Sequence, residues 1–216
     1  MKLKTLTLTL ESNREIKESA AKLRGFFATK FNEYILLHQH KGDKFVYRYP
    51  LIQYKMIDKN PIIIGINEGA EVLKEIYNKS EYLKLGNSKY KLFGMELKFR
   101  EQEFGISESP INYSFLTPWF ALNQDNFKEF VKLTFKEQQD KLKKLLAGNL
   151  LSMSKTLGYT VKETIVVETK LRKTRSSLKR TEIMVFKGEF QVNFNIPGLL
   201  GIGKSVSRGF GTIKRL

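Results

Sequence analysis

From Lys2 to Glu11 the chain alternates: Leu3, Thr5, Thr7 and Thr9 face one way, and Lys4, Leu6, Leu8 and Leu10 the other. That pattern is a strand with one strongly apolar face, and such a face needs a second layer to cover it. The next apolar residues supply that layer. Ile16, Ala20, Leu23, Phe27 and Phe31 recur at helical spacing, and Ser12 with Glu15 has the capping-box pattern, so a helix is expected over about 13–31. A strand period followed at once by a helix period restricts the chain to a sheet with helices packed on it.

The same alternation of elements continues. Phe45, Tyr47, Tyr49 and Ile52 mark a strand over 44–56, with Pro50 suggesting an edge or bulge. After the turn Asp58-Lys59-Asn60-Pro61, a short buried strand at 62–66 leads to a helix over 68–79 and a long strand or hairpin over 90–104. The order is βαββαβ, a ferredoxin-like unit. Gly-Ile-Ser-Glu-Ser-Pro at 105–110 looks like a junction. A second pass follows: a strand at 111–122, a helix from 125 to 146 and on toward 157, strands at 161–171 and 181–195, and a last strand at 210–216. The fold class is therefore α+β, with an N-terminal domain over 1–106 and a C-terminal domain over 111–216.

The final stretch holds five glycines between Gly198 and Gly211, together with Lys204, Ser205, Ser207 and Arg208. Backbone N–H groups of such a stretch can form an anion-binding concavity, and the side chains add donors. A phosphate is the expected guest. The spacing fits neither a P-loop nor a dinucleotide fingerprint. The plain alternative is a glycine-rich turn ahead of a strand. The whole pattern is more specific: Gly201-Ile-Gly203, five residues, then Gly209-Phe-Gly211-Thr-Ile resembles the glycine-rich loop of the repeat-associated (RAMP) proteins of CRISPR systems. Among them it is most similar to the endoribonucleases that cut the long CRISPR transcript into guide RNAs. The resemblance implies two tandem ferredoxin-like domains and CRISPR repeat RNA as partner. A homodimer and association of the protein with a CRISPR effector complex are further partners the resemblance suggests.

Charge agrees with an RNA partner. Lys and Arg total 38 against 22 acidic residues, for a net charge of +16. Residues 160–216 carry twelve of those cations and four Glu, which is +8, half of the excess in about a quarter of the chain. Without cysteine the chain has neither disulfides nor thiolate chemistry, and no cofactor motif is present. No apolar run is long enough for a membrane span, a signal core is absent at the start, and a cytosolic location is expected.

The only histidines are His38 and His40. Imidazole gives or takes a proton near neutral pH, and residues two apart on an extended segment share a face. Three readings compete: solvated loop side chains, two ligands of a metal, or acid–base catalysis. A metal lacks further ligands, since Glu33 and Asp43 have no ligand spacing. The resemblance implies the third reading, because the processing endoribonucleases place a histidine between the first helix and second strand of the N-terminal domain. Both His38 and His40 match that position, which leaves the principal residue open; His40 is the first choice for acid–base work with His38 sharing or substituting, accompanied by Tyr47 and Lys30, with Lys41 and Arg48 near the RNA. No metal is expected.

Lys170 to Arg180 holds six cations in eleven residues, which suits a hairpin tip or loop gripping a phosphate backbone. The resemblance implies that Arg172, Lys173, Arg175 and Lys179 contact repeat RNA, as do Gly201, Gly203, Lys204, Ser205, Arg208, Gly209 and Gly211. Glu101, Glu103 and Glu108 share one polar stretch without a two-metal motif. Metal-independent cleavage by 2′-OH attack, leaving a 2′,3′-cyclic phosphate, is the favoured chemistry. A non-catalytic RAMP-type RNA-binding subunit is the alternative, and an unrelated basic RNA-binding protein a weaker third.

Overall fold

Strands that alternate and helices with one apolar stripe bury their faces against each other here as antiparallel sheets with helices laid on them. A computed structural model describes residues 1–38 and 48–216, and between these stretches only the backbone of His40–Lys41 and Lys44–Phe45. The chain divides into two compact units. One is Lys2–Glu103 with Val206–Gly209; the other is Phe104–Ser205 with Phe210–Leu216 and Met1.

In the N-terminal unit the elements are β1 (Lys2–Ser12), α1 (Ala20–Lys30), α2 (Ile35–His38), β2 (His40–Lys41), β3 (Lys44–Phe45) and β4 (Ile52–Ile57). They continue with β5 (Asn60–Ile66), α3 (Glu68–Ile76), β6 (Tyr82–Leu85) and β7 (Ser88–Glu103). The main sheet runs β4-β5-β1-β7-β6. Leu8 of β1 lies opposite Ile63 on one side and Leu97 on the other, all antiparallel. Leu6, Leu8 and Leu10 pack with Leu23 and Phe27 of α1 and Leu73 and Ile76 of α3. The threonines of β1 therefore point to the opposite face. Without β6, this is the ferredoxin-like strand order.

Helix α1 starts later than its capping pattern suggests. Ser12 stays in β1, and Asn13 prolongs the pairing with β7: its N–H donates to Lys91 O (3.0 Å), and its side chain accepts from Lys91 N–H (3.1 Å). Ser19 is the residue before the first helical turn. Strand pairing has outweighed the local cap. The strand expected over 44–56 is likewise divided between β3 and β4, and the hairpin of β6 and β7 begins at Tyr82 rather than Tyr90.

The C-terminal unit contains β8 (Gly105–Phe115), α4 (Gln124–Phe130), α5 (Phe135–Thr156), β9 (Val167–Leu178), β10 (Thr181–Asn195) and β11 (Ile213–Arg215). Its sheet runs β11-β8-β10-β9. This is again the ferredoxin-like order, with residues 196–212 where a second helix would stand. Trp119 is fully buried, stacks on Phe115 at 5.6 Å and donates from Nε1 to Asn149 Oδ1 of α5 (3.2 Å). The α+β class with tandem ferredoxin-like sheets is what the sequence pattern and the resemblance lead one to expect.

Three expectations change in detail. Residues 105–110 are strand: Gly105 and Ile106 pair with Asn195 and Phe194 of β10. Pro110 falls where the register shifts, so its missing N–H costs the ladder nothing. The long helix is two helices, because Thr134 and Glu137 close a capping box that starts α5 anew. The basic run 170–180 is an arm of the β9–β10 hairpin, turning at Lys179 and Arg180 with φ of 50° and 66°.

Candidate active site

Helix α2 has four residues, too few to hold a helical turn without outside help. Its last carbonyls are held by side chains from two other elements. Tyr54 of β4 donates its hydroxyl to Leu37 O (3.3 Å), and Arg24 of α1 donates from Nη2 to His38 O (2.5 Å). Tyr54 is fully buried and lies 6.1 Å from the Phe27 ring, centroid to centroid. Burial pushes its phenol well above the ordinary value, so it remains a neutral donor. The His38 ring is tied as well, through Nε2 to Asn32 O at 3.1 Å. A carbonyl only accepts, so Nε2 carries the hydrogen, and in the neutral ring the basic nitrogen is Nδ1.

A turn of the glycine-rich stretch belongs to the same unit. Val206–Arg208 forms one 3₁₀ turn that packs on α1 and β4, followed by Gly209. Gly209 has φ of 92°, and a Cβ there would stand 2.7 Å from Ala20 Cβ and 3.3 Å from Tyr54 O. Only glycine lets this turn lie so close to α1 and β4. Arg208 thereby comes near Arg24. Burial, then the charge of Arg208, hold the Arg24 guanidinium below its ordinary value, and its Nε is buried without a partner. Among the described residues no carboxylate pairs with either arginine. Two adjacent cations beside the histidine helix thus have no carboxylate partner among the described residues.

Glycine N–H groups open to a phosphate are expected from the sequence. Several amides of the stretch are instead donated to carbonyls: Lys204 to Phe120 O (2.9 Å), Gly209 to Val206 O (3.1 Å) and Gly211 to Pro118 O (2.8 Å). A Cβ on Gly211 would meet Ile202 O at 2.0 Å, so this glycine serves close backbone packing. Gly201 is buried and Gly203 half-buried in the C-terminal unit. Among the side chains that could add donors, Lys204 is exposed and Ser205, Ser207 and Arg208 are half-buried.

The remaining candidates are placed as follows. Lys30 is at the exposed end of α1, its Nζ 5.6 Å from the Phe31 ring centroid and 5.7 Å from that of Tyr82. Arg48 is exposed. Tyr47 and the side chains of His40 and Lys41 lie outside the described residues. Arg172, Lys173, Arg175 and Lys179 are all exposed on the hairpin, where Arg175 sits 3.5 Å from Glu182. Such an exposed pair contributes little to stability. The sequence does not single out Arg24 or Tyr54. Arg24 stands one turn after Ala20 and three residues before Phe27, beside the apolar stripe of α1, an ordinary place for a single arginine.

Comparison with known proteins settles the family. A model of the Cas6b N-terminal domain matches residues 1–103, and one of the Cas6b C-terminal domain matches residues 105–216. The chain belongs to the Cas6b family. A crystal structure of Cas6b superposes with a TM-score of 0.95 at 37% identity, covering 100% of both chains. A second, described as the CRISPR RNA processing endoribonuclease Cas6b, gives 0.81 at 34% identity, again over 100% of both. An uncharacterized protein of Methanocaldococcus jannaschii is 40% identical over 143 residues, which is 66% of this chain and 97% of that one. A Cas6 product complex at 13% identity and a TM-score of 0.57, covering 99% of both chains, shares the fold.

Proposed function

We propose that the chain is an endoribonuclease that cuts CRISPR repeat RNA to release guide RNAs, using histidine acid–base chemistry without metal. Family membership supports the reaction class. The observation that carries the site is the pair Arg24 and Arg208, without a carboxylate partner among the described residues, next to a histidine whose segment Arg24 holds by its carbonyl. An electropositive pair half out of water is where a scissile phosphate would be bound and its transition-state charge stabilised.

A general base takes the proton of the ribose 2′-OH, whose oxygen attacks the adjacent phosphorus in line. A general acid then protonates the departing 5′-oxygen, leaving a 2′,3′-cyclic phosphate and a 5′-hydroxyl. His40 and His38 fill these roles, with Tyr47 and Lys30 assisting. The exposed cations of the hairpin, together with Lys204, hold the phosphate backbone. A homodimer in the cytosol, associated with a CRISPR effector complex, belongs to the same reading.

The test is cleavage of repeat RNA by single and double histidine variants. His40→Ala is expected to slow cleavage by about a hundredfold while binding survives. Full activity in the double variant would refute the acid–base assignment. Binding without cleavage by the wild type would favour the RNA-binding subunit.

A further inference from the structure

At the edge of the N-terminal sheet farthest from β4, α1 and β6 enclose an open groove of about 600 Å³ lined by Lys22, Gly25, Phe26, Lys30, Tyr82 and Lys84 among others. Its size suits a small organic moiety. Tyr82 is 39% exposed, although it is a large aromatic residue on an edge strand. Its ring lies 6.4 Å from that of Phe26 at 60°, and Lys89 Nζ stands 4.1 Å from its centroid. No lining residue is acidic. Gly25 adds an independent sign. It occupies the middle of a helix, where glycine is a poor choice, and a Cβ there would touch nothing within 4 Å. The helix thus leaves room above its surface beside two rings and four lysines.

We propose that this groove binds an unpaired nucleotide of the RNA, its base stacked on Tyr82 and Phe26 and its phosphates held by Lys22, Lys84 and Lys89. An acidic peptide would use the lysines but has no need of exposed rings; a base uses both. Lys89 leaves the ring face when the base arrives and meets the phosphate instead. This inference rests on the RNA-cutting reading for its ligand, but not on the histidines.

The probe is a fluorescein-labelled oligouridylate of about ten nucleotides, titrated into the full chain by anisotropy, since stacking tolerates any base. Tyr82→Ala is expected to weaken binding about tenfold, and Tyr82→Phe to bind as the wild type does. Gly25→Glu, which adds a carboxylate to open space, should weaken binding similarly with thermal unfolding unchanged or raised. Wild-type affinity in both Tyr82→Ala and Gly25→Glu would overturn the proposal. So would binding of oligoglutamate through the groove with oligouridylate affinity independent of Tyr82. Wild-type cleavage of repeat RNA is scored separately. Tyr82-dependent binding without cleavage retires the nuclease reading and keeps the groove, while cleavage with Tyr82-independent binding does the reverse.

Discussion

Lys55→Met should stabilise the protein, and most strongly at low pH. Lys55 is on β4, next to Tyr54 and therefore on the sheet face away from α1 and α3. It is fully buried, and its Nζ has no hydrogen-bond partner. Burial alone pushes its ammonium down to about 7, against 10.5 for the free side chain. The unfolded chain consequently binds the extra proton between these values, and stability rises as pH climbs from 7 toward 10.5. At about 1.36 kcal/mol for each pH unit, the fold gives up about 5 kcal/mol at pH 6 and about 2 kcal/mol at pH 9. Methionine fills a similar volume with no charge to desolvate. Urea unfolding of wild type and variant at pH 6 and pH 9 reads both differences. A gain that is equal at the two pH values, or a loss at pH 6, would refute the reasoning.

Three further outcomes follow from the site. Gly209→Ala places a Cβ against Ala20 at positive φ, so unfolding should shift by about 1–3 kcal/mol and cleavage should fall with it; an unchanged melting curve counts against the close packing of the turn. Tyr54→Phe leaves Leu37 O without its donor, at a cost of about 1 kcal/mol in chemical denaturation, and slows cleavage because α2 loosens. Arg24→Lys keeps the charge but loses the planar fork, so it should retain RNA affinity better than Arg24→Met while both cleave more slowly; equal affinity in the two variants would mean that Arg24 charge is not used.

Much of the fold could be read because β1, α3 and β10 carry unbroken periodic patterns. The errors fall where a long-range contact competes with a local signal. Asn13 pairs with Lys91, a partner seventy-eight residues away, and so delays α1 past an intact capping pattern. Gly105 and Ile106 look like a linker until β10 pairs with them. Thr134 and Glu137 were a legible cap inside an apolar helical pattern that masked them. At the site, histidines and glycines announce themselves by scarcity and clustering. Arg24 does not, since a single arginine on a helix is ordinary. Its meaning comes from the carbonyl of His38 and the charge of Arg208, far apart in the chain. The glycines likewise mark close packing at Gly209 and Gly211, which sequence alone cannot separate from open amides.

The central claim is that the RNA supplies its own nucleophile and the protein only moves protons and steadies charge. Repeat RNA bearing one 2′-deoxy nucleotide at the scissile position should bind the wild-type chain and stay intact. The all-ribose repeat should be cut in EDTA to a 2′,3′-cyclic phosphate end. Cleavage of the deoxy-substituted RNA at that position, or cleavage that stops in EDTA, would contradict it.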